Sequence, residues 1–510
     1  MPEKLVLVVV DAMHPAMLRR AIESGEAPTF AGLAERGELV EDMVASFPSV
    51  TPVCCSEMMT GTGPGTHGVI GMNWYHRLER RYIEYGSSFE ATRTFGLFRA
   101  MYDLVYNMNL DHLSWEVETV FERLGDAGVR TAVTPFLIYR GRHRHELGLE
   151  GLARRAAAAA NFRHAVWAPD EFFYGDLYAS RATGCGPSFT RPGTRDEYSA
   201  CVAEELVREG AYDFLLLSLP DNDFHSHRYG PGATVNSIAK ADASFARVVE
   251  AGGGLDRFLS EHAVVLTADH AQSDVQHGLP LAEVLAEDWQ VLQPNADNPE
   301  DAEIAVSPTS RAGGVYVLDP GPGHTAVHKR LRDRLSGLEG IDLIAFLAGP
   351  DGLPLRRDGV GLEMNGELRA VVARNGHELS FRPGGQLRDE RSARWTVDGE
   401  PEALSADLTR GLFECPDYPD ALTRLWSALT SPHAGDLIVS LAEGHECVDW
   451  GGVSHAGGGS HGALSREDSL APLLFVGCGP RKPSKQSWAL RDLAGAVLDH
   501  FGVGRRRWIA

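Results

Sequence analysis

Three apolar runs in this chain stop at an aspartate, and two of those aspartates travel with a histidine. LVLVVV ends at Asp11, LLLSLP at Asp221 and VVLTA at Asp269. His225 follows Asp221 by four residues, which brings a carboxylate and an imidazole close enough to share one ion. Asp269 and His270 offer both ligand types from one tight turn. His461 sits in GGGSHG, where a glycine-rich backbone can approach a metal closely. Carboxylate and imidazole donors together suit Zn²⁺, with Mn²⁺ as the hard-ligand competitor. Asp223, His227, His277 and His455 lie near these positions and read as polar loop residues outside the ligand set.

A hydroxyl for such a centre to activate lies in FPSVTPVCCSEMMTG, Phe47 to Gly61. Thr51 is a favoured N-cap type, Pro52 suits the first helical position, and Gly61 can close the helix. A hydroxyl there stands beside unsatisfied N–H groups at the positive end of a helix dipole, a place that suits an anion. At its free pKa it is a poor nucleophile, so it needs a base or a metal nearby.

The elements that must position these residues read as an α/β pattern. Leu5 to Val10 is a continuous, β-branched apolar run, as expected of a strand buried on both faces of a parallel sheet. Phe214 to Leu219 and Val264 to Thr267 are similar, and Asn236 to Glu250 between them reads as a helix, giving a βαβ unit. Ligands sit at the carboxyl ends of the strands in open α/β sheets, so aspartates far apart in sequence can converge. Ala27 to Gly37 reads as a helix and Gly61 to His76 as a glycine-rich loop near the site. Gly314 to Leu318, His328 to Leu335 and Ile341 to Phe346 give strand, helix, strand again.

Two stretches break the pattern. Arg77 to Thr194 is dense in aromatics, Arg and His, and reads as a cap-type insertion that holds a core helix and strand near 114–138 and an Ala-rich helical run at Arg154 to Ala160. Its cluster Arg140, Arg142, His143, Arg144 and His145 reads as a solvated loop within reach of the site. Residues 361–429 read as a β-rich insertion, with a hairpin turning at Asn375 and Gly376 and a further strand at Arg394 to Val397. The expected architecture is one α/β domain over residues 1–510, a mainly parallel central sheet flanked by helices and carrying these insertions.

Composition narrows the partners. Asp and Glu outnumber Lys and Arg by 70 to 48, a net charge of −22 that argues against nucleic acid or an anionic membrane, both of which reward a basic face. The substrate class left is a small molecule, and an anionic one needs a local positive centre. No signal peptide or membrane-length apolar run is read, and seven scattered Cys do not suggest a disulfide framework, so the default location is cytoplasmic.

In order along the chain, the strand ending at Asp11, FPSVTP with Thr51, THGVIG at Thr66 to Gly71, PDNDFH at Pro220 to His225, TADH at Thr267 to His270 and GSHG at Gly459 to Gly462 resemble the alkaline phosphatase superfamily. Within it, the resemblance is to the type I phosphodiesterase and nucleotide pyrophosphatase branch. It implies two metal sites: Asp221, His225 and His461 holding one ion, and Asp11, Asp269, His270 and the Thr51 oxygen holding the other. It further implies a phosphoesterase that cuts phosphodiester or pyrophosphate bonds through a phospho-threonine intermediate.

The chain departs from that branch after the nucleophile, where Pro52, Val53 and Cys54 replace an aromatic and an Asn, which implies weak nucleotide-base selectivity. Asn73 lies near the branch's phosphate-contacting Asn and is the substrate-binding candidate. A phosphomonoesterase or a phosphonate C–P hydrolase on the same scaffold is the alternative. A sulfatase is disfavoured, since no Cys-x-Pro-x-Arg segment surrounds Thr51. A non-catalytic metal-binding protein would have lost a ligand, and none of the implied set is missing.

Overall fold

In the computed structural model, the described residues are 2–148, 162, 164–175, 177–185, 195–296, 299–318, 323–359, 368–479 and 487–504. The Ala-rich run Arg154 to Ala160 lies outside them.

The fold is mixed α/β around a mainly parallel eight-stranded sheet. Its strands are β1 (Lys4–Val10), β2 (Glu38–Val44), β3 (Thr131–Val133), β4 (Glu171–Tyr174), β5 (Tyr178–Ala179), β6 (Phe214–Leu219), β7 (His262–Thr267) and β8 (Leu470–Val476). They lie in the order β2, β8, β7, β1, β6, β3, β4, β5. Residues 5–10 of β1 are fully enclosed, as their unbroken apolar sequence requires of a strand covered on both faces.

Register decides where the aspartates emerge. β1 runs parallel to β6 with Val10 opposite Leu219, and parallel to β7 with Val9 opposite Thr267. The residues that follow, Asp11, Pro220 with Asp221, and Ala268 with Asp269, therefore leave the sheet along one edge. Helices cover the sheet in two separate groups. One contains α1 (Thr51–Thr60), packed against Asp492–His500 and Val120–Asp126; the other contains α3 (Val235–Ala251), packed against Asp196–Glu209 and Pro15–Glu23. Between β6 and α3 lies α2 (Asp221–Tyr229). No described helix is long and apolar enough to cross a membrane.

The β-rich region is larger than the sequence suggests. A second, nine-stranded sheet spans Ile304 to Leu441 among the described residues, and the strands between Arg369 and Glu414, within the expected 361–429 insertion, belong to it. Ala312–Val317 and Ile341–Ala348 do flank the helix His324–Ser336, but both pair antiparallel with Leu437–Leu441, which lies between them. Their apolar runs arise because this sheet is also covered on both faces. Leu343, Ala345 and Leu347 join the main core, while Ile344, Phe346 and Ala348 pack in a second cluster with Leu331 and Leu335. The hairpin turns where expected: Arg374 faces His377, and Asn375 and Gly376 take φ of 53° and 82°, the left-handed pair of a type I′ turn.

The cap region contributes β3, which lies in the core unit expected near 114–138, and also β4 and β5 to the central sheet. Cys185 and Cys201 form a disulfide, contrary to the expectation from seven scattered cysteines on which the cytoplasmic default partly rested.

A buried ion pair ties the two sheets together. Arg311, in the turn after Ile304–Thr309, meets Asp468 just ahead of β8 at 2.5 Å, and both side chains are enclosed. Asp468 Oδ2 also accepts from Ala463 N, its carbonyl accepts from Ala271 N, and Arg311 N donates to the His461 carbonyl. The pair thus holds the loops bearing His270 and His461. Asp468→Ala strands a buried guanidinium and is expected to cost about 3–5 kcal/mol of stability, read as a lower denaturation midpoint.

Candidate active site

Asp11, Asp269 and His270 meet at the carboxyl edge of β1 and β7, each with a ligand atom within 4.8 Å of the others. Ala12 turns the chain here with φ 52°, and its N–H donates to Asp269 Oδ1 at 3.2 Å. Asp11 Oδ1 and Asp269 Oδ2 are enclosed and have no hydrogen-bond partner within the protein. Burial, then repulsion from Asp269 and Asp223, pushes the Asp11 carboxyl well above the usual range, and burial raises Asp269 as well. Two unpartnered carboxylate oxygens held together out of water fit a cation.

Thr51 is the first residue of α1 rather than its cap, a position taken by Val50, and Gly61 closes the helix with φ 71° as expected. α1 is buried on every side from Pro52 to Thr60, so its amino end is fixed in the core. Thr51 Oγ1 lies 3.2 Å from His270 Nε2, which in turn is 3.3 Å from Asp269 Oδ2 and 3.8 Å from Asp11 Oδ1.

The histidines are oriented alike. His270 Nδ1 bonds the Ala271 carbonyl at 3.1 Å, His461 Nδ1 the Ser49 carbonyl at 2.8 Å and His227 Nδ1 the Gly459 carbonyl at 2.8 Å. A carbonyl can only accept, so each ring carries its proton on Nδ1 and turns an Nε2 lone pair toward the centre. Burial keeps all three neutral, holding His270 down to about 4, His227 to about 3 and His461 well below its ordinary value. These are donors in the form a metal binds.

The structure does not bring Asp221 and His225 into this centre. Asp221 pairs with Arg195 at 3.1 Å, and His225 Nε2 bonds the Ala233 carbonyl on the outer side of α2. Asp223 and His227, set aside as loop residues from sequence, are there instead. Asp223 Oδ1 is 3.4 Å from His227 Nε2 and 3.9 Å from His461 Nε2, and Asp223, His270 and His461 form a second group of potential ligands. The two pairs share the i, i+4 spacing on opposite faces of one helix, so spacing cannot choose between them. Asn222 chooses. Its amide donates to the Asp11 carbonyl at 2.8 Å and accepts from Ser237, turning Asp223 and His227 toward β1.

Asn73, His455 and the basic cluster also take places that the sequence did not show. Asn73 bonds the Pro308 carbonyl and Ser307 Oγ, bracing its strand to the second sheet; the preceding Met72 lines the site instead. His455, also read as a loop residue, lines the site, with its ring 4.0 Å from that of His227 and Nδ1 on Glu446. The basic cluster is used elsewhere. Arg140 is buried on Glu122 and the carbonyls of Leu113, Ser114 and Val117, and Arg142 pairs with Glu118, Glu122 and Asp126. Arg144 pairs with Glu146 and His143 with Asp170.

A cavity of about 420 Å³ opens from these residues, with Asp11, Thr51, Asp223, His227, Asp269 and His461 at one end. Among the described residues no Lys or Arg lines it.

A mainly parallel sheet that gathers carboxylates and histidines beside a helix-borne hydroxyl is built on an alkaline-phosphatase-like fold. The model of the type I phosphodiesterase / nucleotide pyrophosphatase family matches residues 5–354, more than half of the chain, and the chain belongs to that family. It is a hydrolase of a metal-dependent family. No curated protein matches it by sequence.

Solved structures share the fold at low identity. Human ectonucleotide pyrophosphatase / phosphodiesterase 5 superposes with a TM-score of 0.56 at 11% identity, over 99% of this chain and 96% of that one. Phosphonoacetate hydrolase from Sinorhizobium meliloti 1021, in complex with phosphonoformate, gives 0.53 at 16% identity, over 98% and 96%. An inactive form of the murine ectonucleotide pyrophosphatase / phosphodiesterase 5, in complex with AMP, gives 0.53 at 11% identity, over 98% and 96%.

The two faces of α2 give opposite expectations. His227→Ala should lower bound metal by about one ion per chain, whereas His225→Ala should leave it unchanged; elemental analysis of the purified variants distinguishes them.

Proposed function

We propose that the protein hydrolyses phosphodiester or pyrophosphate bonds through a phosphorylated Thr51, at a centre for two divalent ions, Zn²⁺ or Mn²⁺. Asp11, Asp269, His270 and the Thr51 oxygen would hold one ion, and Asp223, His227 and His461 the other. Bound there, the ions would lower the pKa of an attacking oxygen and neutralise charge on the transferring group. The observation that carries the reading is Thr51 Oγ1 at 3.2 Å from His270 Nε2, at the start of a buried helix, beside two unpartnered carboxylate oxygens.

The chain's own residues supply position and exclusion. α1 presents the Thr51 oxygen, which attacks phosphorus as the bond to the leaving oxygen breaks, leaving the phosphoryl group on Thr51. Water then attacks the same phosphorus and restores the hydroxyl. Nδ1 anchoring on Ser49, Ala271 and Gly459 keeps the three imidazoles aimed while charge shifts.

A diester is favoured over a monoester or a phosphonocarboxylate by the fate of the basic cluster. A second negative charge needs a cation, and Arg140, Arg142 and Arg144 are already paired away from the cavity. The substrate is a small phosphate ester, not a nucleic acid, consistent with a net charge of −22.

With Zn²⁺ or Mn²⁺ added, bis(p-nitrophenyl) phosphate is expected to turn over faster than p-nitrophenyl phosphate, phosphonoacetate or p-nitrophenyl sulfate. Thr51→Ala should lower kcat for it by about 10³-fold or more with metal content largely kept. In the parent enzyme, acid-quenched mass spectrometry should find a p-nitrophenylphosphoryl group on the Thr51 peptide. Robust turnover by the alanine variant would remove Thr51 as the nucleophile.

A further inference from the structure

The cavity changes character along the sheet edge. Over β7 and β1 it is lined by the carboxylates, histidines and Thr51 described above. Past β6 the same edge continues to β3 and β4, and there the lining is Phe136 and Leu137, which follow β3, and Tyr174, the last residue of β4. Leu104 and Met72 add to this wall, and Phe224 of α2 stands at its rim, half exposed. Adjacent strands are about 4.8 Å apart, so β1 to β4, three spacings along the edge, is a reach of about 14 Å.

Charge sharpens the contrast. Beside Phe224, Arg195 lies over its ring at 5.3 Å and is paired with Asp221 at 3.1 Å. Ser87, Ser88 and Tyr174 also line the cavity, but no cation does among the described residues, so an anionic substituent entering this end would lose water without gaining a charged partner. An apolar one has no such hydration to lose and would cover the apolar side chains of this wall.

Resting on the diesterase reading above, we propose that this end of the cavity takes the second alcohol of the phosphodiester as an uncharged, apolar group, an aryl or medium-length alkyl chain. Met72, Leu104, Phe136, Leu137, Tyr174 and Phe224 are the residues that select it. The phosphate lies over β7 and β1, and the substituent runs along the sheet edge toward β4. Selection comes from buried length and from a lining without Lys or Arg among the described residues.

The test is kcat/KM, with Zn²⁺ or Mn²⁺ added, for alkyl p-nitrophenyl phosphates with methyl, butyl and octyl groups and for a carboxybutyl analogue. A rise of about two- to four-fold per methylene from methyl to butyl, and at least ten-fold slower turnover of the carboxybutyl ester than the butyl, is expected. Leu137→Lys should cut the butyl-to-methyl ratio at least five-fold. Phe224→Ser, at a half-exposed position that does not threaten folding, should lower the octyl-to-methyl ratio. Diesters that turn over with no dependence on chain length, or faster with the carboxylate, overturn this assignment and leave the diesterase reading standing. Turnover of none of the diesters while the monoester is hydrolysed overturns both.

Discussion

Asp11 and Asp269 end neighbouring parallel strands in the middle of the sheet, and each keeps one enclosed oxygen without a partner. Two carboxylates so placed repel each other and have lost their water, a cost that only protons or a cation can offset. The surrounding architecture is consistent with a cation. The imidazoles facing the pair are held neutral, their protons are bound to backbone carbonyls, and the loops that carry them are fastened by Arg311 and Asp468 rather than by contacts among the ligands. A scaffold that stores repulsion at its centre needs its stability elsewhere, and the two-sided burial of both sheets supplies it.

Much of this was legible in the sequence because it depends on strand ends. A buried parallel strand announces itself as an unbroken apolar run, and the residue that stops the run sits at the sheet edge. Asp11, Asp269, His270 and the Thr51 helix could therefore be placed from sequence alone. The Asn375 and Gly376 turn was legible for a different reason, since both residue types tolerate the positive φ that the turn demands.

What failed to read through depends on rotation and on partners distant in sequence. Asp221 with His225 and Asp223 with His227 are equivalent patterns on one helix, and the choice between them is made by Asn222, through a carbonyl more than two hundred residues away. Asn73 opens a strand while Met72 lies in the bend just before it, and a shift of one residue separates the side chain that braces the second sheet from the one that lines the site. The apolar runs of Ala312–Val317 and Ile341–Ala348 are as unbroken as those of the main sheet, because both sheets are buried twice, and nothing local states to which sheet a strand belongs. Arg140 and Arg142 are clustered and look available, yet their carboxylate and carbonyl partners come from the segment Leu113 to Asp126 that the fold lays against them.

A cavity with no described Lys or Arg, in a protein of net charge −22, also has a kinetic side. Many enzymes of anionic substrates draw them in by a positive field; here the long-range field opposes approach, and neutralising the carboxylates at the strand ends lowers that opposition near the site. Encounter with the ester is then slowed at low ionic strength and eased by added salt, the reverse of steered association. Loading of the centre thus governs how often a substrate arrives as well as what happens to it afterwards.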